Sequence, residues 1–119
     1  MGRWGESVAG YFLEQHGYSV LARNVRTGRG EIDLVARQEK DGTLVFVEVK
    51  TRTNESFGLP EEAVDARKLE HLFRSAEAYL QARPELGEVE WRIDVVAIQG
   101  RPGDRVEDVH IEHFEHISA

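Results

Sequence analysis

The sequence predicts an α/β domain: a mixed β-sheet with helices packed on it, in the order α-β-β-β-α-β, with a short further strand at the end. Three observations carry this. Two segments, residues 3–16 and 61–83, repeat apolar side chains at helical spacing. Three alternating or apolar runs lie between them, and a fourth follows the second helix. The 119 residues suit one domain covering 1–119.

In residues 3–16, Trp4, Val8, Tyr11 and Phe12 fall at i, i+4, i+7 and i+8 and form one apolar stripe, which Gly17 ends. YSVLARNV, residues 18–25, reads as a strand, with Thr27, Gly28 and Gly30 as a flexible loop behind it. EIDLVAR, residues 31–37, alternates and gives the second strand, and the Asp41-Gly42 pair after it is a hairpin signal. The third strand covers 43–51 and RTNESFGLP, residues 52–60, is a loop. A long helix then runs from Glu61 to Arg83, with Leu69, Leu72, Phe73, Ala76 and Leu80 on one face, and Pro84 stops it. EWRIDVVAI, residues 90–98, is the fourth strand, and 108–114 the short fifth. The chain has no internal repeat, low-complexity tract or linker.

Composition narrows the class. With 40% hydrophobic and 31% charged residues the chain can build a core and stay in solution. No apolar run approaches the roughly 18 residues of a membrane span, and MGRWGESV lacks the apolar stretch of a signal peptide. The absence of Cys removes disulfides and thiolate metal sites. A cytoplasmic protein is the expectation. The net charge of −7 opposes broad coating of nucleic acid, since phosphate contacts need cations. Cations are nonetheless concentrated between Arg23 and Arg37, where Arg23, Arg26, Arg29 and Arg37 face only Glu31 and Asp33.

The chemistry gathers around LVFVEVK, residues 44–50. Side chains alternate along a strand, so Phe46, Glu48 and Lys50 share a face. If Glu39–Gly42 is a four-residue hairpin loop, Asp33 lies opposite Glu48; a two-residue Asp-Gly loop puts Asp33 opposite Lys50. Either register gathers Glu31, Asp33, Glu48 and Lys50 on one face. Opposed carboxylates about 4 Å apart repel by roughly 4 kcal/mol at an effective dielectric near 20, a large share of the about 5–15 kcal/mol that holds a small domain together. Lys50 relieves part of this, and a divalent cation relieves more. All-oxygen ligation suits Mg²⁺ or Mn²⁺, and Mg²⁺ takes only one or two carboxylates from a protein. Beside a metal, Lys50 is placed to orient or deprotonate an attacking water or to neutralise charge, a set of parts suited to phosphodiester hydrolysis. On the first helix, Glu6 lies just past the edge of the apolar arc, where a carboxylate reaches over the sheet edge without being sealed in the core.

Glu6, Gly30-Glu31-Ile32-Asp33-Leu34 and Phe46-Val47-Glu48-Val49-Lys50-Thr51-Arg52 resemble the PD-(D/E)xK nuclease superfamily. Within it the chain resembles the YraN-like family, small bacterial proteins similar in fold to archaeal Holliday junction resolvases. The resemblance covers almost the whole chain, including Phe57-Gly58, Pro60, Ala63-Val64, Lys68 and Asp94-Val95-Val96. The Pro that often precedes the superfamily's Asp is replaced here by Ile32. The resemblance implies a restriction-endonuclease-like core, with Asp33 and Glu48 binding the metal, the Val49 carbonyl as a further ligand, Lys50 assisting the water and Glu6 completing the site. It also implies DNA as partner, branched DNA by analogy with the resolvases, and a homodimer, because junction resolvases cut two strands.

Arg26, Arg29, Arg52 and Lys68 are the candidate nucleic-acid contacts. Arg92 and Asp94 share a strand face and suit a structural ion pair. His110, His113 and His116 do not suit zinc, because a spacing of three puts neighbours on opposite faces of a strand. Trp4 and Trp91 fit the core or a sheet face. The reading is a Mg²⁺- or Mn²⁺-dependent DNA endonuclease; the rivals are a non-catalytic module on the same fold that binds DNA structure or a repair partner, and a pure protein-interaction domain.

Overall fold

The computed structural model describes residues 2–52 and 65–117. The chain runs through α1 (Gly2–Gln15), β1 (Tyr18–Thr27), β2 (Gly30–Gln38), β3 (Leu44–Arg52), α2 (Ala66–Gln81), a 3-10 turn at Pro84–Leu86, β4 (Trp91–Gln99), a second 3-10 turn at Val106–Asp108, and β5 (His110–Phe114). The five strands form one sheet in the order β1-β2-β3-β4-β5. Neighbours are antiparallel except β3 and β4, which are joined through α2 and run parallel, so the sheet is mixed. This is the α-β-β-β-α-β core that the sequence predicts, with the fifth strand added.

Alternation divides the apolar residues between two layers. Val35, Phe46, Ile93 and Val95 pack against Leu69, Leu72, Ala76 and Tyr79 of α2. Leu34, Ala36, Val45, Val47, Val96 and Ile98 pack against Ala9 and Leu13 of α1. The two helices therefore cover opposite faces of the sheet. Trp91 sits among Phe46 and Phe73 on the α2 side, and Trp4 against the α1-side cluster, as expected of core aromatics.

Several boundaries differ from the sequence reading. The second helix begins at Ala66: Asp65 is extended (φ −79°, ψ 172°) and its carboxylate caps the helix by accepting from the Lys68 N–H at 2.8 Å. Residues 61–64, with Ala63-Val64, and the 53–60 part of the loop, with Phe57-Gly58 and Pro60, lie outside the described residues. Arg52 belongs to β3, and Thr27 ends β1, because the β1–β2 hairpin turns tightly: the Thr27 hydroxyl accepts from Arg29 N–H and donates to the Gly30 carbonyl. The β2–β3 hairpin takes the four-residue loop. Gln38 N–H donates to the Thr43 carbonyl at 2.9 Å, and Leu34 pairs with Val47. That register sets Asp33 against Glu48 and rules out the two-residue alternative.

Candidate active site

Asp33 stands where both of its neighbouring ladders break. The β2–β3 pairing ends at Leu34–Val47. On the other side the β1–β2 pairing runs Arg23–Leu34, then Val25–Ile32, skipping Asn24 and Asp33. Asn24 has φ 50°, a left-handed conformation that Asn tolerates better than most residues. The consequence is a change of face in two strands at one point. Ile32 and Val35, three apart, both pack on the α2 side, as do Ala22 and Val25 across from them. Beyond the end of the ladder, the Val49 N–H is satisfied by the Asp33 carboxylate at 2.8 Å. That bond fixes the side chain against the end of β3.

Glu48, one residue earlier on β3, meets Asp33 there, within hydrogen-bond reach of its carboxyl group. Two carboxyl groups bond to each other only when one of them holds a proton. Burial, the Asp33 charge and, opposing both, the Lys68 ammonium together push Glu48 up to about 7. Asp33 is raised as well, by burial first, against the bond from Val49. The Lys68 ammonium from α2 lies 3.4 Å from a Glu48 oxygen, and Glu48 is only 12% exposed. Two desolvated acids in contact, neutralised by one ammonium, are a donor set that fits a hard divalent cation.

The other sequence-derived candidates lie around this pair, not all within it. Lys50 is half-buried two residues beyond Glu48 on the same strand, but among the described residues the ionic contact to the acids comes from Lys68. Lys68, read from sequence as a phosphate contact, is thus a member of the acid site. Glu31 pairs with Arg26 at 3.6 Å instead of meeting Asp33 directly, and its charge adds to the causes that raise Asp33. Glu6 is buried on α1, across the sheet from α2, and its backbone carbonyl accepts from Arg23. Among the described residues, no group of three or more His, Asp or Glu side chains is arranged to hold a metal, so the acids that meet are two. Arg26 and Arg29 are exposed at the β1–β2 hairpin, and Arg52 ends β3.

A second polar cluster lies on the α1 side, at Asp94. Its carboxylate is fully buried and accepts from Arg92 Nε at 3.0 Å, His113 Nε2 at 2.7 Å and the His116 backbone N–H at 2.9 Å. Arg92 also donates to the Tyr18 hydroxyl and to Gln38. Burial alone would raise Asp94, but these donors hold its pKa below the ordinary value. The Arg92–Asp94 ion pair is the structural one expected; His113 as its second partner is not legible from sequence, because it arrives through the antiparallel pairing of β5 with β4.

Fold and site together define a mixed α/β domain with an acid pair where the pairing of its central hairpin ends. The model of the uncharacterised protein family UPF0102 matches residues 5–98, and the chain belongs to that family, in agreement with the YraN-like motifs. It is 46% identical over 114 residues to a UPF0102 protein of Syntrophotalea carbinolica, covering 96% of this chain and 87% of that one. It is also 46% identical to a UPF0102 protein of Roseiflexus castenholzii, covering 96% and 89%. Among solved structures it is similar to one described as an EndoMS–dsDNA2 complex, with a TM-score of 0.42 and 21% identity, over 87% of this chain and 39% of that one. Pyrococcus furiosus SfsA in complex with Ca²⁺ gives a TM-score of 0.35 and 14% identity, over 94% and 60%.

Proposed function

We propose that the protein is a Mg²⁺- or Mn²⁺-dependent endonuclease that hydrolyses DNA phosphodiester bonds, with branched or recombination intermediates as its substrates. The observation that carries the reading is the meeting of Asp33 and Glu48, two desolvated carboxyl groups held together at a strand break despite their repulsion. In this reading Asp33 and Glu48 hold the cation, with the Val49 carbonyl beside them. When bound, the cation supplies Lewis-acid activation of the scissile phosphate and of water. Lys50 holds the attacking water or takes its proton, and Glu6 supports the pair from the α1 side. Arg26, Arg29 and Arg52 take phosphates of the backbone. Cutting both strands of a junction calls for two copies of the chain, and DNA as substrate places the protein in the cytoplasm.

The test is cleavage of junction, flap and single-stranded DNA with Mg²⁺ or Mn²⁺. Cutting by the wild type, and its loss by at least about a hundredfold in Glu48→Ala and Lys50→Ala, is the expected outcome. Inert wild type, or undiminished cutting by both variants, refutes it. The net charge of −7 favours a second reading, a binding module on the same fold that recognises DNA structure or a repair partner without turnover. Salt-dependent DNA binding with no metal-dependent cutting is its signature.

A further inference from the structure

Lys68 is the resident counter-ion of the acid pair, and its position suggests a role distinct from that of Lys50. The ammonium lies 3.4 Å from Glu48 and its charge also acts on Asp33. The two ends of this residue are held very differently. Its backbone N–H is fixed by the Asp65 cap at 2.8 Å. Its side chain is 53% exposed, so the ammonium is free to leave. The space it would move into is present: Lys68 also lines a cleft of about 370 Å³ between the start of β2 and α2, with Gly30, Glu31, Arg67, His71 and Ser75.

We infer that Lys68 competes with the divalent cation for Asp33 and Glu48, so that the cation must displace its ammonium into the cleft and Lys68 sets the affinity of the site. This rests on the cation site proposed above. A single ammonium and a divalent cation cannot both take the same carboxylate oxygens, and an ammonium left nearby repels the cation. Lys68 therefore lowers cation affinity, where a group that assisted binding would raise it. The displaced ammonium faces the cleft, where it is available to a substrate phosphate, so cation entry and backbone contact are linked through one side chain.

The experiment is calorimetric titration with Mg²⁺ at pH 8.5 of the wild type, Lys68→Met, Lys68→Gln and Lys68→Arg. Both neutral variants are expected to bind Mg²⁺ about tenfold more tightly, equivalent to about 1.4 kcal/mol, and Lys68→Arg to bind like the wild type. Equal or weaker binding by the neutral variants, with the wild type binding, overturns the role of Lys68 and leaves the cation site standing. Absence of Mg²⁺ binding in every form, Lys68→Met included, overturns the cation site and this inference with it.

Discussion

Glu48 and Asp94 are both buried acids, and their surroundings drive them in opposite directions. Glu48 meets another acid and is raised from 4.5 to about 7; Asp94 accepts from a guanidinium, an imidazole and a backbone N–H and is lowered. The consequences for stability are opposite in sign. The folded protein holds the Glu48 proton more tightly than the unfolded chain does. Its contribution to stability is therefore complete below about pH 4.5 and is lost as pH rises through about 7. The size is on the order of 3 kcal/mol. Urea unfolding without divalent cations should show stability falling between pH 5 and 8, and Glu48→Gln should flatten that fall. A wild-type profile that is level over this range contradicts the account. Asp94 contributes stability above its unfolded value and loses it as pH falls through its lower folded value. Asp94→Asn takes the buried anion from Arg92, which keeps Glu115 at 3.7 Å, Tyr18 and Gln38, and should cost about 1–3 kcal/mol in the same assay, while Asp33→Asn should cost less. Sequence suggested the pairing of Asp33 with Glu48 and of Arg92 with Asp94, because both follow from strand alternation and register. It did not show Lys68 on Glu48, a contact made across twenty residues through the placement of α2.

At the scale of elements, the placement of α1 depends on Gly5. A Cβ there would lie 2.5 Å from the Thr51 Cγ2 and 3.4 Å from the Val49 Cγ1, so the helix passes directly over the end of β3, on the face opposite Glu48. Gly5→Ala gains about 1 kcal/mol of helix propensity, but the overlap should cost about 1–3 kcal/mol, and moving the helix should displace Glu6. Thr51→Ser removes the obstructing methyl, so the double variant Gly5→Ala/Thr51→Ser should recover most of the loss in thermal unfolding. Equal melting temperatures for Gly5→Ala and wild type would contradict this close approach. The elements themselves were legible because apolar periodicity records which face is buried. The break at Asn24 and Asp33 was not, since neither residue departs from a strand-like pattern and only the pairing of both strands reveals it. The hairpin register was open for the same reason: Asp41-Gly42 suits a short turn, but the Asp41 carboxylate accepts from the Thr43 N–H and the loop closes as four residues.

Across the whole molecule, the sheet separates structural from chemical polarity. The α1 face carries the closed Asp94 network, in which buried charge is matched by donors. The α2 face carries the acid pair, whose ionic partner among the described residues is one half-exposed lysine, with the Val49 N–H on Asp33. A ligand that binds only the folded state stabilises it by about 2.7 kcal/mol at a concentration 100 times its Kd. Saturating Mn²⁺ should therefore raise the melting temperature of the wild type and of Asp94→Asn, but not that of Glu48→Gln. A shift that survives Glu48→Gln would place the cation elsewhere. The net charge of −7 did not disclose any of this, because the deciding charges are three side chains brought together by the fold.

Asp33 and Glu48 are proposed to form one cation site. A crystal grown or soaked in Mn²⁺ and measured for anomalous scattering tests it most directly. The expected result is a peak between the Asp33 and Glu48 carboxylates, with the Lys68 ammonium moved away from Glu48. Density showing that ammonium still on Glu48 and no peak between the two acids would contradict it.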